Sequence, residues 1–186
     1  MRSAIRGSGR SDEFRTVSKG LQSVWTKEAV VVRYPPMRPL RVYIDTSVVG
    51  GCYDKDFQTE SRAFFQMARD GELHLVVSPL LIDELTKAPP EVQRVLMDLP
   101  PGCIEYMSLE EEALELRDVY LAAEVVGESH GNDALHVALA TVARVDMIVS
   151  WNFKHIVHFD KIRGFNAVNL REGYLPIEIR APLEVV

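Results

Sequence analysis

The chain has 186 residues, of which 47% are hydrophobic and 26% charged, and a formal net charge of −6. These values describe an ordinary globular protein with room for one sizeable core and an appendage, and the acidity argues against general nucleic-acid coating. No apolar run approaches the roughly 18 residues of a membrane span, and the N-terminus is polar and basic instead of carrying an apolar signal core, so the expected location is cytoplasmic.

Charge is unevenly spread. Residues 1–41 hold nine Lys and Arg against three acids, whereas residues 42–186 hold twelve against twenty-four. Residues 1–40 show little apolar periodicity and read as a basic, flexible arm, with Pro35, Pro36 and Pro39 marking its boundary with a domain over 41–186. Such an arm can hold nucleic acid or an acidic partner; a solvated tail or an over-long start of translation fits the composition equally well. Cys52 and Cys103 are far apart and in no metal-finger spacing, which predicts two reduced, partly buried thiols.

Val42-Tyr-Ile is a short β-branched and aromatic run that predicts a buried strand, with Asp45 exposed at its carboxyl end. Val48 to Asp56, containing Gly50 and Gly51, reads as a loop. A helix follows from about Thr59 to Asp70, then a strand at His74 to Val77. Ser78-Pro79 is a helix start, Ser at the N-cap and Pro at the first helical position, for a helix running to about Ala88. Glu91 to Asp98 is a second helical piece, and Ile104 to Met107 a short strand. Ser108 resembles the N-cap of a helix whose acids Glu110, Glu111, Glu112 and Glu115 form a solvated face. Asn132 is a candidate N-cap for a buried helix from Ala134 to Val145. Asp146 to Trp151 predicts a strand, Phe153 to Arg163 a short helix or loop, and Ala167 to Leu170 and Ile177 to Arg180 two more strands. Alternating strands and helices imply an α/β fold with a mostly parallel sheet covered on both faces.

The acids then divide. Asp83 can pair with Lys87 one turn on, but Glu84 lies on or next to the core side of its helix. Asp45, Asp133 and Asn152 each follow a strand or open a helix in a way that places them at one end of the sheet, with Glu84 one helical turn away. An Asp capping a turn accounts for Asp45 alone, and a helix N-terminus accounts for Asp133 alone. Neither accounts for the combination: carboxylates about 4 Å apart repel by roughly 4 kcal/mol per pair at an intermediate dielectric, and a hard cation removes that cost. An all-oxygen ligand set favours Mg²⁺ or Mn²⁺, ions suited to activating water at a phosphoryl group.

Asp45-Thr-Ser after an apolar strand, Ser78 followed by Glu84-Leu, Gly-Asn132-Asp133-Ala-Leu-His-Val-Ala-Leu-Ala, and Ser150-Trp-Asn152-Phe together resemble the PIN-domain nucleases, in particular the VapC-type toxins of toxin-antitoxin pairs. The resemblance covers about Arg41 to Leu170. It implies a three-layer, Rossmann-like α/β/α sandwich, divalent-metal-dependent hydrolysis of RNA, frequent homodimers and a cognate antitoxin protein. It assigns Asp45, Glu84 and Asp133 to the metal, and Thr46 or Ser47 to the hydroxyl that supports Asp45. It departs from the family at Asn152, where many members carry a fourth acid; an amide can ligate a metal or orient water but supplies no charge, which leaves a second metal weakly held.

Weaker candidates surround this set. His130, His136, His155 and His158 are close in sequence to the proposed site, although histidines are usually packing or surface residues; His136 stands out by being one turn from Asp133. Lys154, Lys161, Arg163 and Arg171 either line an RNA path or are surface charges. Two rival functions remain open: a non-catalytic module that binds RNA or a protein, and a metal-dependent phosphatase. The absence of a second Asp near Asp45 lowers the haloacid-dehalogenase type of phosphatase.

Overall fold

The computed structural model describes residues 38–186, so the basic arm expected over 1–40 lies outside the described residues except for its last three. Five strands, Leu40–Ile44 (β1), Leu73–Val77 (β2), Ile104–Tyr106 (β3), Met147–Val149 (β4) and Glu178–Arg180 (β5), form one sheet. Its order is β3-β2-β1-β4-β5 and every neighbouring pair is parallel. Tyr43, for example, pairs with Val76 on one side and Ile148 on the other.

Seven α-helices cover the two faces: Thr46–Gly51 (α1), Gln58–Arg69 (α2), Pro79–Leu85 (α3), Pro90–Met97 (α4), Glu111–Ala122 (α5), Gly131–Val142 (α6) and Phe159–Arg171 (α7). Successive strand residues point to opposite faces. Val42 and Ile44 accordingly pack with Val49, Phe64, Leu81 and Leu96 of α1 to α4, while Tyr43 and Val76 pack with Leu116, Tyr120, Leu139 and Phe165 of α5 to α7. The result is the three-layer, Rossmann-like arrangement expected from the sequence. Chain order reverses direction at β1, and in such sheets ligands collect beyond the strand ends where the order switches.

Several details of the chain differ from expectation. Val48 to Gly51 belongs to a helix, because Asp45 caps it: the Asp45 carboxylate accepts the Ser47 N–H. Gly51, the last residue of that helix, is a glycine for steric reasons, since a Cβ there would collide with Ser61 Oγ and lie 2.8 Å from Trp151 Nε1. Ser108 caps nothing; α5 starts after Glu110. Helix α6 starts at Gly131 with His130 at its cap position, so Asn132 is inside the first turn and its side chain is free to reach elsewhere. Ala167 to Leu170 is helical, because Phe165, Val168 and Asn169 share the buried face of α7 at helical spacing, and tertiary burial overrides a weak local β signal. Asp83 does pair with Lys87, at 2.9 Å. Cys52 and Cys103 are free and buried.

Candidate functional site

Asp45 leaves β1 with extended backbone and is only 4% exposed, so the charge read as exposed in the sequence is instead buried. It is held from two sides. Ser47 donates to Oδ1 through its N–H at 3.2 Å and its hydroxyl at 2.5 Å, and Ser150, just after β4, donates to Oδ2 at 2.7 Å. Burial pushes the carboxyl above the ordinary Asp range, opposed by the charge of His136 and by the Ser47, Ser150 and Val48 hydrogen bonds. The same two hydroxyls tie down the next loop: Ser47 Oγ accepts the Trp151 N–H at 2.8 Å, and Ser150 Oγ accepts the Asn152 N–H at 2.9 Å.

Glu84 projects from α3 toward this point and collects three donors. Thr46 Oγ1 donates to Oε2, Asn132 Nδ2 donates to Oε1 at 3.2 Å, and His136 Nε2 lies 3.2 Å from Oε2. Burial alone would raise its carboxyl, but the His136 and Thr46 bonds, the His136 charge and the Asn132 bond outweigh it and hold Glu84 near a pKa of about 2. Behind His136 is a buried relay. Its Nδ1 lies 2.7 Å from Tyr43 OH, which lies 2.8 Å from Ser78 Oγ. Because Ser78 Oγ accepts the Leu81 N–H at 3.2 Å, its own proton is available to Tyr43. Each polar group in this line, from Ser78 to Tyr43 to His136 to Glu84, therefore has a partner.

Asp133, in the first turn of α6, accepts Asn152 Nδ2 at Oδ1 at 2.9 Å and has His130 Nδ1 3.3 Å from Oδ2. Asn152 Oδ1 accepts the His155 N–H at 3.0 Å. Both ends of the Asn152 amide are thus occupied, and the residue orients Asp133 where the sequence suggested a metal ligand. A closed circuit results: Asp45 to Ser150 to Asn152 to Asp133, whose chain neighbour Asn132 bonds Glu84, which bonds Thr46 beside Asp45.

The three acids therefore surround one end of the sheet, but their oxygens do not converge tightly. Among the described residues the one group of three His, Cys, Asp or Glu whose donor atoms all lie within 4.8 Å of one another is His130, Asp133 and His155. A carboxylate offers about four lone-pair sites. Glu84 shares three with its neighbours, and Asp133 shares one with Asn152. Each keeps capacity for a cation, whereas Asp45 is the most fully committed. That donor set fits an ion that retains water and takes only one or two carboxylates directly, which is the habit of Mg²⁺.

The basic candidates separate. Lys154 is exposed. Lys161 donates its ammonium to Val125 O at 2.6 Å, the Arg163 guanidinium sits 5.5 Å over the Phe159 ring, and Arg171 pairs with Glu172 at 2.7 Å. His155 titrates below the ordinary imidazole value, first through burial and then through the neighbouring His130 charge. The Tyr43 contribution is the least visible in sequence, since a strand Tyr does not signal a site, whereas His130 is among the weaker candidates named there. A groove of about 520 Å³ opens at the opposite end of the sheet, before the starts of β1, β4 and β5, beside Arg38, Arg144 and Asp146, and Asp45, Glu84 and Asp133 do not line it.

No family model matches the sequence, and no curated protein matches it. Among solved structures, a chain in the crystal structure of VapBC2 from Rickettsia felis bound to a DNA fragment from their promoter is similar at a TM-score of 0.48 and 12% identity, over 76% of this chain and 98% of that one. A likeness of that size bears on neither chemistry nor partner. Among the described residues, no helix is long and apolar enough to cross a membrane.

Proposed function

We propose that the protein is a Mg²⁺- or Mn²⁺-dependent endoribonuclease of the PIN type, acting as the toxin of a toxin-antitoxin pair. The observation that carries the catalytic part is the circuit joining Asp45, Asp133 and Glu84 through Ser150, Asn152, Asn132 and Thr46 at the switch point of a parallel sheet. The toxin part, with its antitoxin partner and homodimeric state, draws on the order of four sequence motifs alone.

Asp45, Glu84 and Asp133 would hold the ion, one or two of them directly and Asp45 through water it retains, and the ion would supply acidity to water and neutralise charge on phosphoryl oxygens. The chain's own work is to keep those carboxylates in place. Ser47 and Ser150 fix Asp45, Thr46 and His136 fix Glu84, and Asn152 fixes Asp133, so little reorganisation remains when the ion and RNA arrive. Burial of Asp45 makes this costly without an ion, since its charged form is already disfavoured.

The test is cleavage of a mixed-sequence RNA by the full-length protein in Mg²⁺ or Mn²⁺, against Asp45→Asn. Metal-dependent cleavage lost in the variant supports the reading; equal cleavage by both, from preparations free of contaminating nuclease, overturns it. A second reading, a non-catalytic module that binds a protein partner, is favoured by the exposed apolar strip of Ile82, Met97 and Tyr106 beside α3. Absence of cleavage with tight partner binding would select it.

A further inference from the structure

We propose that His130, Asp133 and His155 form a binding site for a borderline transition-metal dication, Zn²⁺ or Ni²⁺ in chemical class, which differs in ligand chemistry from the all-oxygen set although it shares Asp133. Their donor atoms lie within 4.8 Å of one another, and all three residues are half-exposed, so an ion can enter and still keep water. Two imidazoles and a carboxylate leave a tetrahedral or octahedral ion with open positions, and imidazole selects Zn²⁺ or Ni²⁺ over Mg²⁺.

Three features indicate a prepared group and not a chance meeting of side chains. The His130 and His155 rings stack with centroids 3.6 Å apart and planes 22° from parallel, which brings both rings to the same carboxylate. Neither ring nitrogen of His155 forms a hydrogen bond among the described residues, although its backbone is anchored by Asn152 Oδ1 at 3.0 Å. Ordering two half-exposed imidazoles costs rotamer entropy, and stacking with one long contact to Asp133 is a small return for it. Finally, Asn152 uses its two ends to hold both sides of the group, donating to Asp133 Oδ1 at 2.9 Å so that Oδ2 is left toward the histidines. An outer amide that orients a carboxylate in this way is what metal ligands commonly require.

In a tetrahedral site with bonds near 2.1 Å, donors sit about 3.4 Å apart, so the group closes on the ion when the two rings swing out of their stack and turn their in-plane lone pairs toward it. Competing soft ligands are few. Residues 1–37 contain no His or Cys, and both cysteines of the chain are buried.

Because the site shares Asp133 with the proposed catalytic set, it is tested by direct binding and not by cleavage. Full-length protein, stripped of metal, is titrated calorimetrically with Zn²⁺ and with Ni²⁺, and its imidazole resonances are followed during the Ni²⁺ titration. One ion per chain is expected, with His130 and His155 signals broadened before those of His74 and His158. His130→Ala and His155→Ala each weaken binding by at least about tenfold, the double variant abolishes it, and Asn152→Ala weakens it by about 10- to 100-fold. A hundredfold excess of Mg²⁺ should not displace the ion, on the ligand preference above. Because both rings are half-exposed, the variants should melt with the wild type in the absence of metal; should they not, the wild-type resonance pattern decides alone. Undetectable binding, undiminished binding by the double variant, or ready displacement by Mg²⁺ overturns the proposal. RNA cleavage without Zn²⁺ or Ni²⁺ binding would sink this inference and leave the ribonuclease reading standing; binding without cleavage would do the reverse.

Discussion

Asn152 donates to Asp133 Oδ1 at 2.9 Å, and its carbonyl accepts the His155 N–H at 3.0 Å. A neutral amide is what this position needs in the metal-free chain, because it can donate to a carboxylate while accepting from the backbone. Asn152→Asp would put a second carboxylate where the donor was. Metal-free stability should fall by about 1–3 kcal/mol, the cost of a lost hydrogen bond and an adjacent like charge, and Mn²⁺ should restore more of it than in the wild type. Melting with and without Mn²⁺ measures both terms.

Glu84 should contribute to the acid limb of stability, alongside Glu105, whose carboxyl is also held down by the Arg41 bond. The Glu84 pKa is held down from 4.5 to about 2, so its contribution is complete above 4.5 and is lost as pH falls toward 2. The shift corresponds to an upper bound of about 3 kcal/mol, reduced by solvent screening because the Glu84 carboxylate is partly exposed. Denaturant midpoints across this range should show wild type well above Glu84→Gln at neutral pH, with the gap closing as pH approaches 2. A gap that stays constant would remove Glu84 from the account.

Tyr43→Phe cuts the relay between Ser78 and His136 while keeping the aromatic packing. It strands a buried hydroxyl and a ring nitrogen, at a cost of about 1–3 kcal/mol in urea unfolding. His136→Ala added to it should cost less than the sum of the two single changes, because both break one line of contacts.

Lysine substitutions should behave differently from one another. Lys161 is engaged with the Val125 carbonyl, so Lys161→Ala lowers the melting temperature and leaves the salt dependence of RNA binding unchanged. If exposed Lys154 meets a phosphate, Lys154→Ala reduces the slope of log affinity against log salt by about 1. The two slopes, measured side by side, check the assignment.

Gly51→Ala tests the contact of α1 with Trp151. The new methyl would lie 2.8 Å from Trp151 Nε1, which donates to Ser61 Oγ at 2.8 Å, so overpacking of about 1–3 kcal/mol is expected in thermal or urea unfolding.

Much of the architecture was legible in the residues. Val42-Tyr-Ile and the run before Ser78-Pro79 carry strand and helix-start chemistry in a few adjacent positions, and the Asp83 to Lys87 pair follows from one turn of helix. Where the structure departs from local pattern, burial against another element decides. Val48 to Gly51 looked like a loop because glycine signals a break, yet Asp45 caps it into a helix packed on Trp151. Ala167 to Leu170 looked like a strand because Val168 suits one, yet Phe165 and Asn169 are buried on the same helical face.

The sequence by itself determined the alternation of strands and helices, the parallel sheet, and which acids stand near strand ends, because these follow from local periodicity and capping. Only the tertiary structure decided how those acids are satisfied: that Asp45 is buried under Ser47 and Ser150, that Asn152 orients Asp133, and that His130 and His155 stack beside it. Hydrogen bonds between residues 19 to 105 positions apart in the chain leave no trace in local pattern, since their geometry exists only once the strands have paired.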